Sequence, residues 1–210
     1  MSTSTHVDPA HMVYVIDDDA SIRLALEDLF ASVGLPVLSF PSVSSFLAAQ
    51  LSDVPACLAL DVRMPGQSGL DFQQQMGGLG LDIPVVLMTG HGDIPMAVQA
   101  MKNGAIEFLS KPFRDQDLLD AIQRGLTLNA QQRQQRAERQ ALLQRWSLLN
   151  EGEQAVARLV VQGLLNKQVA AQLGVSEITV KVRRAQAMRK MQTHSLAQLV
   201  RVMDQVLDAE

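Results

Sequence analysis

Five short apolar runs divide the first part of this chain, and three of them end on a charge. Met12-Val-Tyr-Val-Ile16 is followed by Asp17-Asp18, Cys57-Leu-Ala-Leu60 by Asp61, and Ile106-Glu-Phe-Leu-Ser110 by Lys111. A run of four or five mostly apolar residues fits a buried strand, and a charge directly after it falls at the strand's carboxyl end. Strand-like runs at about 12–16, 36–39, 56–60, 83–87 and 106–110 alternate with helical patterns near 20–33, 43–51, 69–76 and 95–103, and another helix opens near 115. This alternation predicts an α/β, doubly wound parallel sheet with right-handed crossovers. In such an open sheet the carboxyl ends of the strands line one crevice, where ligands bind. Three carboxylates and one ammonium in one crevice suit a divalent cation and a phosphoryl group.

Charge divides the chain into two modules. Through Gly125 there are 6 Lys and Arg against 15 Asp and Glu, and beyond it 12 against 7. The acidic module concentrates carboxylates around a cation, and the basic one attracts a polyanion. An apolar share of 47% predicts packed domains. No apolar run approaches the roughly 18 residues of a membrane span. Residues 1–11 lack the apolar centre of a signal peptide and are expected to form a disordered tail of a cytoplasmic protein. Cys57 is the only cysteine. It is expected to be a small core residue whose burial suppresses the thiolate.

Asp61 is ionised near neutral pH, so it can attack phosphorus without a general base. Its difficulty is repulsion from the incoming phosphoryl group. A Mg²⁺ ion held by Asp17, Asp18 and Asp61 would cancel that charge. Lys111 would neutralise another oxygen as a point charge. Thr89 follows the apolar run Ile83-Pro-Val-Val-Leu-Met88, which places its hydroxyl at the same crevice. Asp19 extends the acidic run but is better explained as the N-cap of the helix from Ala20. His91 is expected to be a solvent-facing loop residue. Met76-Gly-Gly-Leu-Gly80 does not open a helix after a strand, which makes it a loop and not a phosphate cradle.

Taken together, Asp17-Asp18, Asp61 within Leu60-Asp-Val-Arg-Met-Pro-Gly66, Thr89-Gly-His-Gly-Asp93 and Lys111-Pro-Phe113 resemble the receiver domain of two-component response regulators, and Gly90 to Phe113 the FixJ branch in particular. The resemblance covers roughly residues 12–125. It implies a flavodoxin-like sheet of strand order 2-1-3-4-5 and phosphorylation of Asp61 by a sensor histidine kinase. It also implies a Mg²⁺ (or Mn²⁺) site completed by the backbone carbonyl of Arg63, and an aromatic switch at Phe108. By itself, Phe108 is an apolar strand residue and packs in a core by default.

Residues 126–146 are rich in Gln, Arg, Leu and Ala, with no Gly or Pro between Gly125 and Gly152. The helix from about Asp115 is therefore expected to run to about Trp146. From Asn129 to Gln140 only Ala130 and Ala137 are apolar, so this stretch is expected to be a solvated, semi-rigid helical linker with no face to bury. No apolar heptad is sustained, which disfavours a coiled coil.

Residues 147–210 form the second module, of four short helices. Glu151 opens the first, Asn166 is expected to cap the second (to Leu173, ended by Gly174), Ser176 caps the third, and an amphipathic helix closes the chain from about Ser195. A short helix, a Gly turn and a longer basic helix make a helix-turn-helix. The stretch Gly163-Leu-Leu-Asn-Lys-Gln-Val-Ala-Ala-Gln-Leu-Gly-Val-Ser-Glu-Ile-Thr-Val-Lys-Val182 resembles the LuxR-type output domain of NarL/FixJ regulators. Val180, Ala187 and Met191 fall on one side and should face the core. Lys181 and Arg184 are expected in or beside the major groove, and Thr179 and Val182 near the groove or backbone. Lys167, with the amino end of its helix, is expected to hold a phosphate. The resemblance supports Lys181 and Val182 as contacts.

Two departures stand out. The family usually has Arg where this chain has Gly152, inside Leu149-Asn-Glu-Gly-Glu153, which predicts a weakened cap and internal salt bridge. It often has His where this chain has Arg183, whose long stem is expected to carry its charge to a phosphate. Both bear on DNA specificity.

The chain is thus expected to be a transcription factor that dimerises on phosphorylation, with promoter DNA, a sensor kinase and RNA polymerase as partners and no enzymatic turnover beyond its own phosphoryl transfer and slow dephosphorylation. An aspartyl-phosphate hydrolase is the enzymatic alternative. Such enzymes commonly place a general-acid Asp two residues after the nucleophile, where this chain has Arg63. A constitutive DNA-binding protein with an idle receiver is the third possibility.

Overall fold

The computed structural model describes residues 10–90, 92 and 94–207. Residues 1–9 of the tail expected at residues 1–11, and the loop position expected for His91, lie outside them. Two compact units divide the chain at Arg133 and Gln134.

The first unit is a five-stranded parallel sheet of order β2-β1-β3-β4-β5. Its strands are β1 Met12–Ile16, β2 Val37–Phe40, β3 Ala56–Asp61, β4 Val85–Thr89 and β5 Glu107–Ser110. The connecting helices are α1 Ala20–Ser32, α2 Val43–Ala48, α3 Gly69–Met76 and α4 Ile94–Lys102, and α5 Asp115–Ser147 follows β5. Strand side chains alternate between faces. Val13, Val15, Cys57, Ala59, Val86 and Met88 pack with α1 and α5. Tyr14, Ile16, Leu58, Leu60, Val85 and Leu87 pack with α2, α3 and α4. β1 and β3 are buried on both faces, which explains their unbroken apolar runs.

β4 begins two residues later than the sequence predicts, at Val85. Pro84 has no N–H to give to a ladder, although its carbonyl accepts from the Leu58 amide at 2.9 Å. Thr89 is therefore the last residue of β4 and does not follow it. Met76-Gly-Gly-Leu-Gly80 is a 3₁₀ turn over Gly77–Leu79 closed by Gly80 in the left-handed region, φ 71°. Cys57 is buried, and its thiol is pushed up to about 12 by burial. A side chain at Gly125 would meet its sulfur at 2.3 Å, so the glycine lets α5 lie against β3.

The expectation that α5 has nothing to bury from Asn129 onward is corrected. Asn129 is itself buried. Its side-chain oxygen accepts from the Ala56 amide at 2.9 Å, and its side-chain nitrogen donates to the Asp82 carbonyl at 2.8 Å. Arg133 then pairs with Asp53. The first unit thus extends past Gly125, and the exposed stretch of helix narrows to 134–140.

The second unit has its own core. Leu142 and Trp146 at the end of α5 pack with Ala187, Met191, Leu199 and Met203. Its helices are α6 Glu151–Val161, α7 Asn166–Leu173, α8 Glu177–Lys190 and α9 Leu196–Leu207. Among the described residues no helix is long and apolar enough to cross a membrane.

Asn129→Ala strands the buried Ala56 amide without a partner. It should destabilise the first unit by about 1–3 kcal/mol. Faster hydrogen exchange at the β3 amides, with α6–α8 amides unchanged, is the expected result.

Candidate functional site

The parallel sheet brings the charged strand ends together as the sequence predicts. Lys111 Nζ lies 2.6 Å from Asp17 Oδ2 and 2.6 Å from Asp61 Oδ1, bridging two acids that are almost wholly buried. The other oxygen of each acid is also held. Asp17 Oδ1 accepts from the Asp19 amide at 2.9 Å, and Asp61 Oδ2 from the Arg63 amide at 2.7 Å. Arg23 on α1 donates to the carbonyls of Asp17 and Asp18 at 2.7 and 3.0 Å and so fixes the acidic loop. The Lys111–Pro112 peptide is cis.

Burial pushes the Asp61 carboxyl above the usual range. The Lys111 hydrogen bond and charge pull it back only in part, and the Asp17 charge adds to the rise. Burial works against the Lys111 ammonium too, but its hydrogen bonds to Asp17 and Asp61 outweigh that and hold its proton more tightly than usual.

Of the expected metal ligands, Asp17 and Asp61 converge on Lys111, and Asp18 is an exposed residue of the loop between β1 and α1. Among the described residues no three His, Cys, Asp or Glu side chains form a metal cluster. The ammonium of Lys111 holds the place between the two acids. Asp19 is the N-cap of α1, accepting from the Ser21 and Ile22 amides at 2.8 and 3.4 Å. Those amides, foremost Ser21, hold its carboxyl below the ordinary range.

Thr89 is fully buried and its carbonyl accepts from the Lys111 amide at 2.7 Å. Phe108 is half-buried against the core. Two glycines that sequence reasoning missed complete this corner. A Cβ on Gly92 would stand 2.8 Å from both the Thr89 methyl and the Phe108 ring, so the loop after β4 touches both. A Cβ on Gly69 would stand 2.2 Å from the Asp61 carbonyl, so only glycine lets α3 start there. For Gly92 the signal is its place inside Thr89-Gly-His-Gly-Asp93, whereas Gly69 lies just beyond the motif that ends at Gly66.

In the second unit, Val180 and Ala187 of α8 and Met191 at its C-cap are buried, as their spacing requires. Lys181 and Val182 are exposed, Thr179 and Arg184 half-buried, and Lys167 is exposed on the first turn of α7. Asn166 does not cap α7. The Leu165 amide donates to the Gln168 side chain at 2.8 Å, and Asn166 Oδ1 accepts from Arg184 at 3.4 Å.

The weakened cap and salt bridge expected from Gly152 are not found. Asn150 and Glu153 make a full capping box, with reciprocal bonds of 2.9 and 3.0 Å. Lys190 reaches Glu153 at 2.6 Å and the Leu148 carbonyl at 3.0 Å. Arg183 does not extend freely outward. Its guanidinium lies over Gly152, 2.7 Å from where a Cβ would be. The two departures from the family pattern are one contact.

A parallel α/β module with two buried acids bridged by a lysine, joined to a helix-turn-helix module, defines a two-module regulator of the receiver type. Comparison with known proteins identifies the family. The response regulator receiver domain matches residues 13–123, and the luxR family of bacterial regulatory proteins matches residues 147–203. Nodulation protein W of Bradyrhizobium diazoefficiens is 50% identical over 191 residues, covering 91% of this chain and 84% of that protein. Response regulator protein TodT of Pseudomonas putida is 46% identical, covering 96% of this chain and 89% of that protein. The solved structure of response regulator StyR is 48% identical with a TM-score of 0.84, covering 93% of this chain and 99% of that one. The chain belongs to the transcriptional response regulators, with a receiver domain and a LuxR-type DNA-binding domain.

Two predictions concern α6. Burial pushes the Glu153 carboxyl up, but the Lys190 hydrogen bond, the Asn150 amide and nearby charge outweigh it and hold it below its ordinary 4.5. Its stabilisation is therefore present above about that pH and lost as pH falls through the depressed value. Glu153→Ala should cost the second unit about 2 kcal/mol at neutral pH. In Trp146 fluorescence denaturation, the part of this loss that rests on charge should fade below that range. Gly152→Ala gains up to about 1 kcal/mol of helix propensity. That gain should be larger in an Arg183→Ala background, where nothing need be displaced, and a double-mutant cycle on the same signal measures the coupling.

Proposed function

We propose that Asp61 is the phosphoacceptor through which a sensor histidine kinase controls this regulator. The observation that carries the proposal is the Lys111 bridge between Asp17 and Asp61 at the mouth of the parallel sheet. An Asp61 carboxylate oxygen attacks phosphorus and forms an acyl phosphate. The P–N bond of the kinase phosphohistidine breaks, the imidazole leaves with its electron pair, and solvent returns a proton to it. Lys111 moves its ammonium from the carboxylate to a phosphoryl oxygen.

The donor set fits a divalent cation. Two buried carboxylates share one ammonium, leaving net negative charge among hard oxygen donors. Asp17, Asp18, Asp61 and the Arg63 carbonyl would hold Mg²⁺ or Mn²⁺, which supplies cancellation of phosphoryl charge.

Thr89 and Phe108, both touching the Gly92 loop, relay the change to the face formed by α4, β5 and α5. Ile94, Val98 and Met101 of α4 are exposed there, which supports homodimerisation on that face. Two LuxR-type domains then bind promoter DNA together. Lys167, Thr179, Lys181, Val182 and Arg184 make the contacts, and RNA polymerase is the downstream partner. The protein works in the cytoplasm and turns over no substrate beyond its own phosphoryl group.

With Mg²⁺ and a small phosphodonor, wild-type protein should shift to dimer mass and bind promoter DNA at least tenfold more tightly. Asp61→Asn should do neither. Equal binding by both proteins, with and without donor, would overturn the proposal.

A further inference from the structure

Most exposed apolar side chains in this protein stand alone, but two in the second unit stand together on α8. Ile178 keeps 74% of its surface accessible and Val182 keeps 54%. Four residues apart, they lie on one helix face, one turn from each other. At 100° per residue this face is turned well away from buried Val180 and Ala187. Its other members are exposed Lys181, Ala185 and Arg189. Half-buried Arg184, 120° round the helix from Ile178, is hydrogen-bonded to Asn166 on the adjoining helix, which also carries exposed Lys167. The nearest carboxylate in sequence, Glu177, lies 100° round the helix from Ile178.

An isoleucine with three-quarters of its surface in water gains nothing from folding the chain that carries it. The cations around it set the charge of its partner, a polyanion. Its place in the first turn of α8 sets the part of that partner, since recognition helices meet base edges with their amino-terminal residues. On a major-groove base edge the apolar group available is the thymine C5 methyl.

We propose that Ile178, with Val182, forms an apolar reader of thymine methyls, and that Ile178 is a sequence-specificity residue of this regulator. The proposal rests on the second unit binding DNA through α8. One helical turn separates the two side chains by about 6 Å along the axis, close to the roughly 6.8 Å of two base-pair steps. The pair is therefore matched to thymines about two steps apart. Lys181 lies between them in sequence and turns toward the groove wall.

The test uses full-length protein treated with Mg²⁺ and phosphodonor. Preferred duplexes are selected from a random pool, and each thymine in them is replaced singly by deoxyuridine, which removes only the methyl. Wild-type affinity should fall roughly fourfold at a sensitive position, the contribution of one buried methyl-sized group. Ile178→Ala should bind the thymine and deoxyuridine duplexes equally at one position, and Val182→Ala at another. Ile178→Val should keep part of the dependence. Unchanged thermal melting of the DNA-free variants would show that the fold is intact, as expected for so exposed a position.

Three outcomes would overturn the proposal while leaving DNA binding in place. Wild-type affinity could be indifferent to every thymine methyl, or Ile178→Ala could keep the methyl dependence at every position where the wild type shows it. Alternatively, Ile178→Ala could lower the mass of the DNA-free phosphorylated protein while leaving DNA preference intact, which would make the face a protein contact. Selection of no sequence by the wild type would sink the DNA reading of α8 as well, which separates that failure from failure of the methyl reader.

Discussion

The crevice depends on one ammonium. Asp17 and Asp61 are buried at adjacent strand ends, where two uncompensated carboxylates would repel and one would take up a proton. Lys111, delivered by β5 from the far side of β4, touches both at 2.6 Å and holds its own proton more tightly for doing so. The arrangement requires parallel strands, since only they bring three carboxyl ends to one edge. It requires the backbone as well. The Arg63 and Asp19 amides each occupy the remaining oxygen of an acid, and Arg23 fixes the carbonyls between them. The acids are aimed before any ligand arrives, and one ammonium against two carboxylates leaves the crevice short of positive charge.

Much of this was legible in the sequence for a physical reason. A strand buried on both faces is apolar along its body, so β1 and β3 read as unbroken apolar runs, and the first charge at the end of each, Asp17 just after β1 and Asp61 as the last residue of β3, marks the sheet's edge. β2, only partly buried, gives a weaker pattern. β4 was misplaced because Ile83-Pro84 is as apolar as the strand it precedes, and hydrophobicity does not register a missing N–H. A run of three acids does not say which carboxylate is buried, and in the structure it is Asp17, with Asp18 exposed beside it.

Asn129 was missed because it is polar in a polar stretch, yet a signal was present. Leu118, Ile122 and Gly125 lie on the face of α5 against the sheet, and steps of four, three and four lead on to Asn129. The phase of the stripe continues where its hydrophobicity stops. What Asn129 meets at the amino edge of the sheet is not apolar surface but a free strand amide and a loop carbonyl, which an amide side chain satisfies together. Periodicity should therefore be followed by position before it is followed by residue type.

The second unit makes a related point about departures from a family pattern. Taken singly, Gly152 is a lost side chain and Arg183 a misplaced charge on a core-facing stripe. In the structure the guanidinium of Arg183 fills the space that Gly152 leaves open. The glycine costs α6 some helix propensity. The capping box from Asn150 and the Lys190–Glu153 pair remain in place to hold that end of the helix. With Arg183 drawn toward α6, the open face of α8 is left to Ile178, Lys181, Val182, Ala185 and Arg189. On the DNA reading proposed above, the part of α8 that would meet bases is a face in which two β-branched side chains stand among cations.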